Sequence, residues 1–192
     1  MKSMLYFFIF CFLVACSNVK TKPEVIQSKY AEITDFKPAD TLFLLSDGLY
    51  ELGKTFCYVN QKGDTIIPAG RFESSFSDTI LTFGIVIEKI GENSDLIGIN
   101  QQGQRLYEVQ RYDNGPDYLE DGLFRILRYG KTGYADATGK IVIPAKFDCA
   151  FPFVDGQAKV SNDCEKIKDH EYTAMNSEHW IYIDQKGEKI ER

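Results

Sequence analysis

Residues 132–143 read TGYADATGKIVI. A short run of β-forming residues ends at Asp136, a four-residue turn closes on Gly139, and a second β-branched run begins at Ile141. An aspartate or asparagine opening such a turn accepts hydrogen bonds from the backbone inside it. A glycine at the end takes the positive φ that closes it. The stretch predicts a β-hairpin, and its turn is written three more times: NQKG at 60–63, NQQG at 100–103 and DQKG at 184–187.

Two other marks recur in step. LSDG, LTFG, LEDG and FVDG end at Gly48, Gly84, Gly122 and Gly156. Basic–aromatic–acidic triplets stand at Arg71-Phe72-Glu73, Arg111-Tyr112-Asp113 and Lys146-Phe147-Asp148. The units run roughly 35 to 40 residues, a length at which repeat folds are expected. Each holds three short runs rich in β-branched and aromatic residues. The first strands are expected at 49–52, 85–90, 123–129 and 157–161. The second are expected at 56–59, 96–99, 132–135 and 180–183, and the third at 65–67, 105–109, 141–143 and 189–190. Pro68 and Pro144 lack the N–H of a continuing ladder and are expected to end third strands. No long stretch between 45 and 192 keeps the i, i+3, i+4, i+7 spacing of an amphipathic helix. The expected fold is all-β, an array of four β-meander repeats over 45–80, 81–118, 119–152 and 153–192. Propeller-like closure and an open solenoid both fit this reading.

The third and fourth units resemble the repeat of the bacterial WG repeat proteins. The residues that carry the resemblance are Gly133-Tyr134-Ala135-Asp136, Gly139-Lys140, Pro144, Phe147-Asp148, Phe153, Gly156, Ala158 and Val160. Trp180-Ile181-Tyr182-Ile183-Asp184 restores the tryptophan without the glycine, while Phe56-Cys57 and Leu96-Ile97 stand where Trp-Gly would be. The resemblance covers about 45–192. It implies an all-β repeat array and no defined chemistry, because a fold does not carry a function.

The N-terminus reads as an address. Lys2 precedes an unbroken apolar run from Leu5 to Ala15. That run is shorter than the ~20 residues of a bilayer span and fits the apolar region of a signal peptide. Its end, Leu13-Val14-Ala15-Cys16, resembles a bacterial lipobox. The resemblance implies removal of 1–15 and acylation of Cys16, with 16–30 a polar tether and 31–192 the β domain. Each buried methylene contributes about 0.8 kcal/mol, so several acyl chains of the palmitate kind anchor firmly. Ser17, by resemblance to Gram-negative sorting, points to the outer membrane. The expected localisation is therefore a lipoprotein held on the outer membrane of a bacterial cell envelope, with the membrane itself a partner.

A formal charge of −6 argues against nucleic acid as a partner. Beyond Cys16 the chain carries Cys57, Cys149 and Cys164. Three is odd, so at least one thiol is free or pairs between chains. Cys149 and Cys164 are the candidates for an internal disulfide.

Catalytic signals are thin. A nucleophile needs a base within reach, and the only histidines, His170 and His179, follow Cys164 at a spacing that fits no zinc pattern. No G-x-S-x-G, P-loop or H-E-x-x-H is written. Asp113, Asp117, Glu120 and Asp121 crowd one connection, but their spacing departs from the EF-hand loop. No catalytic residue, metal or cofactor is expected. Aromatics equivalent from unit to unit, Phe72 with Tyr112 and Phe147, and Tyr58 with Tyr134 and Tyr182, are expected in the core. The most individual segment is an insert at 162–178, and inserted loops carry binding. Its candidate binding residues are Asp169, His170, Tyr172 and Met175, with His179 just beyond it. The expected function is a non-catalytic envelope lipoprotein that binds or scaffolds a protein or a glycan. The alternatives are an envelope-polymer hydrolase working through carboxylates such as Asp117 and Glu120, and an inhibitor or immunity-like protein.

Overall fold

A computed structural model describes residues 29–31, 40–46, 55–169 and 172–191. Cys16, the stretch 49–52 and His170 lie outside the described residues. Every strand pair is antiparallel, and no helix occurs among the described residues.

Unit 1 is a meander of β1 (Leu42–Ser46), β2 (Phe56–Val59) and β3 (Thr65–Ile67), followed by the short strands β4 (Ser74–Ser75) and β5 (Thr79–Ile80). Unit 2 is β6 (Phe83–Ile90), β7 (Asn93–Asn100) and β8 (Arg105–Val109), with a small hairpin, β9 (Arg111–Tyr112) and β10 (Gly115–Pro116). Unit 3 is β11 (Leu123–Arg128), β12 (Lys131–Asp136) and β13 (Ile141–Phe147), then β14 (Cys149–Ala150). Unit 4 is β15 (Gln157–Ser161), the inserted hairpin β16 (Glu165–Asp169) and β17 (Tyr172–Asn176), then β18 (Ile181–Asp184) and β19 (Lys189–Ile190).

Units 2 and 3 share one sheet, ordered β13-β12-β11-β8-β7-β6-β4. Unit 1 forms β3-β2-β1-β5 and unit 4 forms β14-β15-β18-β19. None of these sheets closes into a barrel, and the array is all-β. The connecting strands lace the array together: β4 pairs with β6 of the next unit, and β14 with β15.

The four turns are built alike. The side-chain oxygen of Asn60 accepts from the N–H groups of Lys62 and Asp64, both at 2.9 Å. Asn100 accepts in the same way from Gln102 and Gln104, Asp136 from Thr138 and Lys140, and Asp184 from Lys186 and Glu188. Each closing glycine has positive φ: Gly63 84°, Gly103 70°, Gly139 83° and Gly187 81°. One side chain thus satisfies two backbone donors per turn, which is why the pattern needs Asn or Asp at its first position.

Three hydrophobic cores lie at the three junctions between units. The first joins Leu42, Tyr58 and Ile67 of unit 1 to Val86, Ile97 and Ile99 of unit 2. The second joins Leu96, Tyr107 and Val109 to Phe124, Ile126 and Ala135. The third joins Tyr134, Ile143 and Phe147 to Ala158, Val160 and Ile183. Strand alternation orients every second strand in the same way. Residues one and three before the turn (Val59 and Cys57, Ile99 and Ile97, Ala135 and Gly133, Ile183 and Ile181) face backward along the chain. The residue two before it (Tyr58, Gly98, Tyr134, Tyr182) faces forward. Tyr58 and Tyr134 are fully buried, a burial that contributes about 1.5–3 kcal/mol for a large side chain. Each hydroxyl then donates to a carbonyl of the following connection, Ser77 at 2.5 Å and Phe151 at 2.7 Å. Unit 2 has Gly98 at this position, and the ring of Tyr107 fills the space a side chain there would need.

Several sequence expectations are corrected. Unit 1 has a strand outside those expected, Leu42–Ser46, and it pairs with β2. Pro144 does not end its strand: β13 runs on to Phe147, with the ladder shifted between Thr132 and Tyr134, so the proline sits where no pairing N–H is needed. The recurring glycines of the second mark are not equivalent in conformation: Gly84 has no positive φ. It lies inside β6 against Ile80, whereas Gly122 and Gly156 have positive φ. Tyr112 is not core. It is 52% exposed where Phe72 and Phe147 are 5% and 2%. Tyr182 is half-buried rather than core. The fold also reaches back into the expected tether. Tyr30 is buried, its hydroxyl donates to Glu108 at 3.0 Å, and the Ala31 N–H donates to the Arg105 carbonyl at 2.8 Å.

Candidate functional site

The β9–β10 hairpin stands out from the array because unit 2 ends differently from its neighbours. After Phe72 and Phe147 the chain goes straight into an edge strand of the next sheet. After Arg111-Tyr112 it reverses at Asp113, whose φ is 51°, and pairs with itself. The reversal turns Tyr112 outward. Its ring centroid lies 5.0 Å from that of Tyr118, the planes inclined at 51°.

Around the pair is a cleft of about 320 Å³, lined by the two rings and the chain between Asp113 and Leu119. That volume is at the lower end of the ~300–1,000 Å³ of small-molecule sites. Tyr118 and Leu119 are 61% and 50% exposed.

A buried ion pair fixes the hairpin. Arg125 on β11 donates from Nη2 to Asp117 Oδ1 at 2.6 Å and from Nε to Oδ2 at 2.8 Å, and its backbone N–H reaches Oδ2 at 2.9 Å. Arg125 Nη1 also donates to the Ala150 carbonyl at 3.2 Å. Both side chains are nearly buried, at 11% and 3% exposure. Such a two-pronged pair is directional as well as strong. Behind the hairpin, Arg111 donates to the Ser94 carbonyl at 2.8 Å. The cleft is therefore rigidly mounted while its rings face outward. Both Asp117 oxygens accept from Arg125, so this carboxylate anchors the hairpin.

The insert is a second protruding hairpin rather than a loop. Asp169 and Tyr172 pair at its tip, and half-buried Met175 pairs with Lys166 further down. His179 lies past the base, its Nδ1 2.9 Å from Asp163 Oδ2. Ser161 and Ser177 hydroxyls meet at 2.8 Å across the neck, and Cys149 and Cys164 are joined by a disulfide. The described candidates thus lie along this hairpin, from Asp169 and Tyr172 at its tip to His179 past its base. No group of three His, Cys, Asp or Glu side chains among the described residues is placed to hold a metal. Sequence reasoning passed over Tyr112 and Tyr118. The available signal was the Asn114-Gly115-Pro116 turn directly after the Arg111-Tyr112-Asp113 triplet, which the other two triplets lack.

In comparisons with known proteins, residues 133–163 match the family model of the WG containing repeat. That stretch starts at Gly133 in β12 and ends past β15, spanning one junction between units. No curated protein and no solved structure matches the chain.

Proposed function

We propose that this chain is a non-catalytic binding protein of the bacterial cell envelope, tethered to the outer membrane by lipidated Cys16, and that its ligand is a glycan. The observation that carries the reading is the outward turn of Tyr112 onto Tyr118. A position that is core in units 1 and 3 is spent in unit 2 on an exposed ring pair beside an open cleft. Aromatic faces stack on the C–H faces of sugar rings. The neighbouring Asp113 and Asn114 offer acceptors and a donor for hydroxyl groups. A rigid mount lowers the ordering cost of binding.

The Leu13-Val14-Ala15-Cys16 run supports the anchor. The Cys149–Cys164 bond supports an oxidising compartment, where disulfides persist. The test has two arms. Fractionation of cells carrying Cys16→Ala should release the protein from membranes. A panel of soluble envelope oligosaccharides should contain one that binds the purified full chain without being consumed. Retention of the Cys16→Ala protein on membranes refutes the anchor, and turnover of a bound oligosaccharide refutes the non-catalytic reading.

A further inference from the structure

The repeat geometry leaves one face without the neighbour that its counterparts have. In units 2, 3 and 4 the backward face of the second strand is covered by the preceding unit: Ile97, Ile99 and Ala135 are 0% exposed and Ile183 1%. Among the described residues, no unit precedes unit 1. Its backward face consists of Cys57 and Val59 on β2, Phe43 and Leu45 paired with them on β1, and Ile66 at the register shift of β3. Phe43, Leu45 and Ile66 are 40%, 57% and 42% exposed, an apolar patch of the kind that marks an interaction surface.

We infer that this face is a self-association surface, covered by the same face of a second copy related by a two-fold axis. The established junctions show what this face is shaped to meet, namely another apolar sheet face. The far end of the array does not supply one. The forward face of unit 4 presents Lys159, which pairs with Tyr182 and lies with its Nζ 4.7 Å from the Trp180 ring centroid. Head-to-tail stacking would press that ammonium onto a patch whose described residues include no carboxylate, and an unpaired buried charge is costly. Pairing like with like buries only apolar groups, and a two-fold contact closes after two copies. The odd cysteine fits the same arrangement. Cys57 is the free thiol among the described residues and sits in this face, so the two-fold brings two such thiols toward each other.

The test uses the full chain in non-ionic detergent. Sedimentation equilibrium should give a concentration-dependent dimer. Leu45→Asp and Phe43→Asp should each weaken it about tenfold or more. Diamide should link the parent through Cys57, the two thiols giving up two electrons and two protons to the reagent. Cys57→Ser should abolish the link and leave the non-covalent dimer. In the parent dimer Cys57 should resist a maleimide and become reactive on dilution. This thiol readout keeps the test decisive if either aspartate variant fails to fold. A monomer at every concentration overturns the inference, as does a dimer that both aspartate variants leave unchanged. Thiol protection that persists on dilution overturns it too, because the cover then comes from the chain itself.

Discussion

Asp117 and Arg125 form a two-pronged ion pair, at 2.6 and 2.8 Å, that pins the β9–β10 hairpin to β11. The arginine is buried and also holds the Ala150 carbonyl, so removing the carboxylate strands a charge. Asp117→Ala should cost about 3–5 kcal/mol, and the double variant Asp117→Ala with Arg125→Met much less than the sum. A urea double-mutant cycle measures this. Additive losses would mean that the pair is not a unit.

The Gly133 backbone lies directly under β13. A Cβ there would come within 2.5 Å of the Ile143 carbonyl oxygen and 2.6 Å of the Ala145 nitrogen. Both are backbone atoms, with no flexible side chain to yield. Gly133→Ala should destabilise by about 1–3 kcal/mol, the usual cost of overpacking. Gly115→Ala, whose nearest neighbour would be Phe76 at 3.8 Å, should stay within about 0.5 kcal/mol of the parent. Equal melting temperatures for the two variants would remove the close crossing from the account.

The Cys149–Cys164 bond closes a loop across a separation of 15 residues. The chain-entropy estimate for such a loop is about 3 kcal/mol. Cys164→Ser should lower the melting temperature, and a reductant should bring the parent down to the same value. A parent insensitive to reductant would contradict the estimate.

Glu88 gives the fold an acid limit. Burial works to raise its carboxyl pKa, but the guanidiniums of Arg105 and Arg71 outweigh burial and hold it below the ordinary 4.5. The nearest contacts are 2.6 Å to Arg105 and 2.5 Å to Arg71. A carboxylate depressed on folding contributes stability that is complete above its unfolded pKa and is lost as pH falls through the folded value. The parent should therefore lose stability more steeply below pH 4.5 than Glu88→Gln does. Parallel pH–stability curves would show that the cluster carries no linkage.

The fold was legible because a turn that needs Asn or Asp and a distant glycine leaves both residues in the sequence four times over. Gly133 shows why one unit matches the family repeat best. Only there does the third strand run on across the second, and Cys57, Ile97 and Ile181 occupy the same place without that crossing. The site was less legible for a related reason. Burial or exposure of an aromatic is decided by the path of the chain after it. Tyr112 reads like Phe72 and Phe147 until the reversal at Asp113 takes it out of the core. The insert drew attention through its length and unusual residues, yet a hairpin separates its tip, Asp169 and Tyr172, from His179 at the base.

The central claim is that the exposed ring pair is a glycan-binding surface, and calorimetric titration tests it most directly. The full chain is titrated with the oligosaccharide selected from the panel, in parallel with Tyr112→Ala, Tyr118→Ala and, as a control on the other hairpin, Met175→Ala. The account predicts that each tyrosine variant keeps the parent's melting temperature within a few degrees and loses about tenfold or more in affinity, since a lost stacking partner is worth about 1–3 kcal/mol. Met175→Ala should bind as the parent does. Full affinity in both tyrosine variants, or a loss confined to Met175→Ala, would contradict it and move the site to the β16–β17 hairpin.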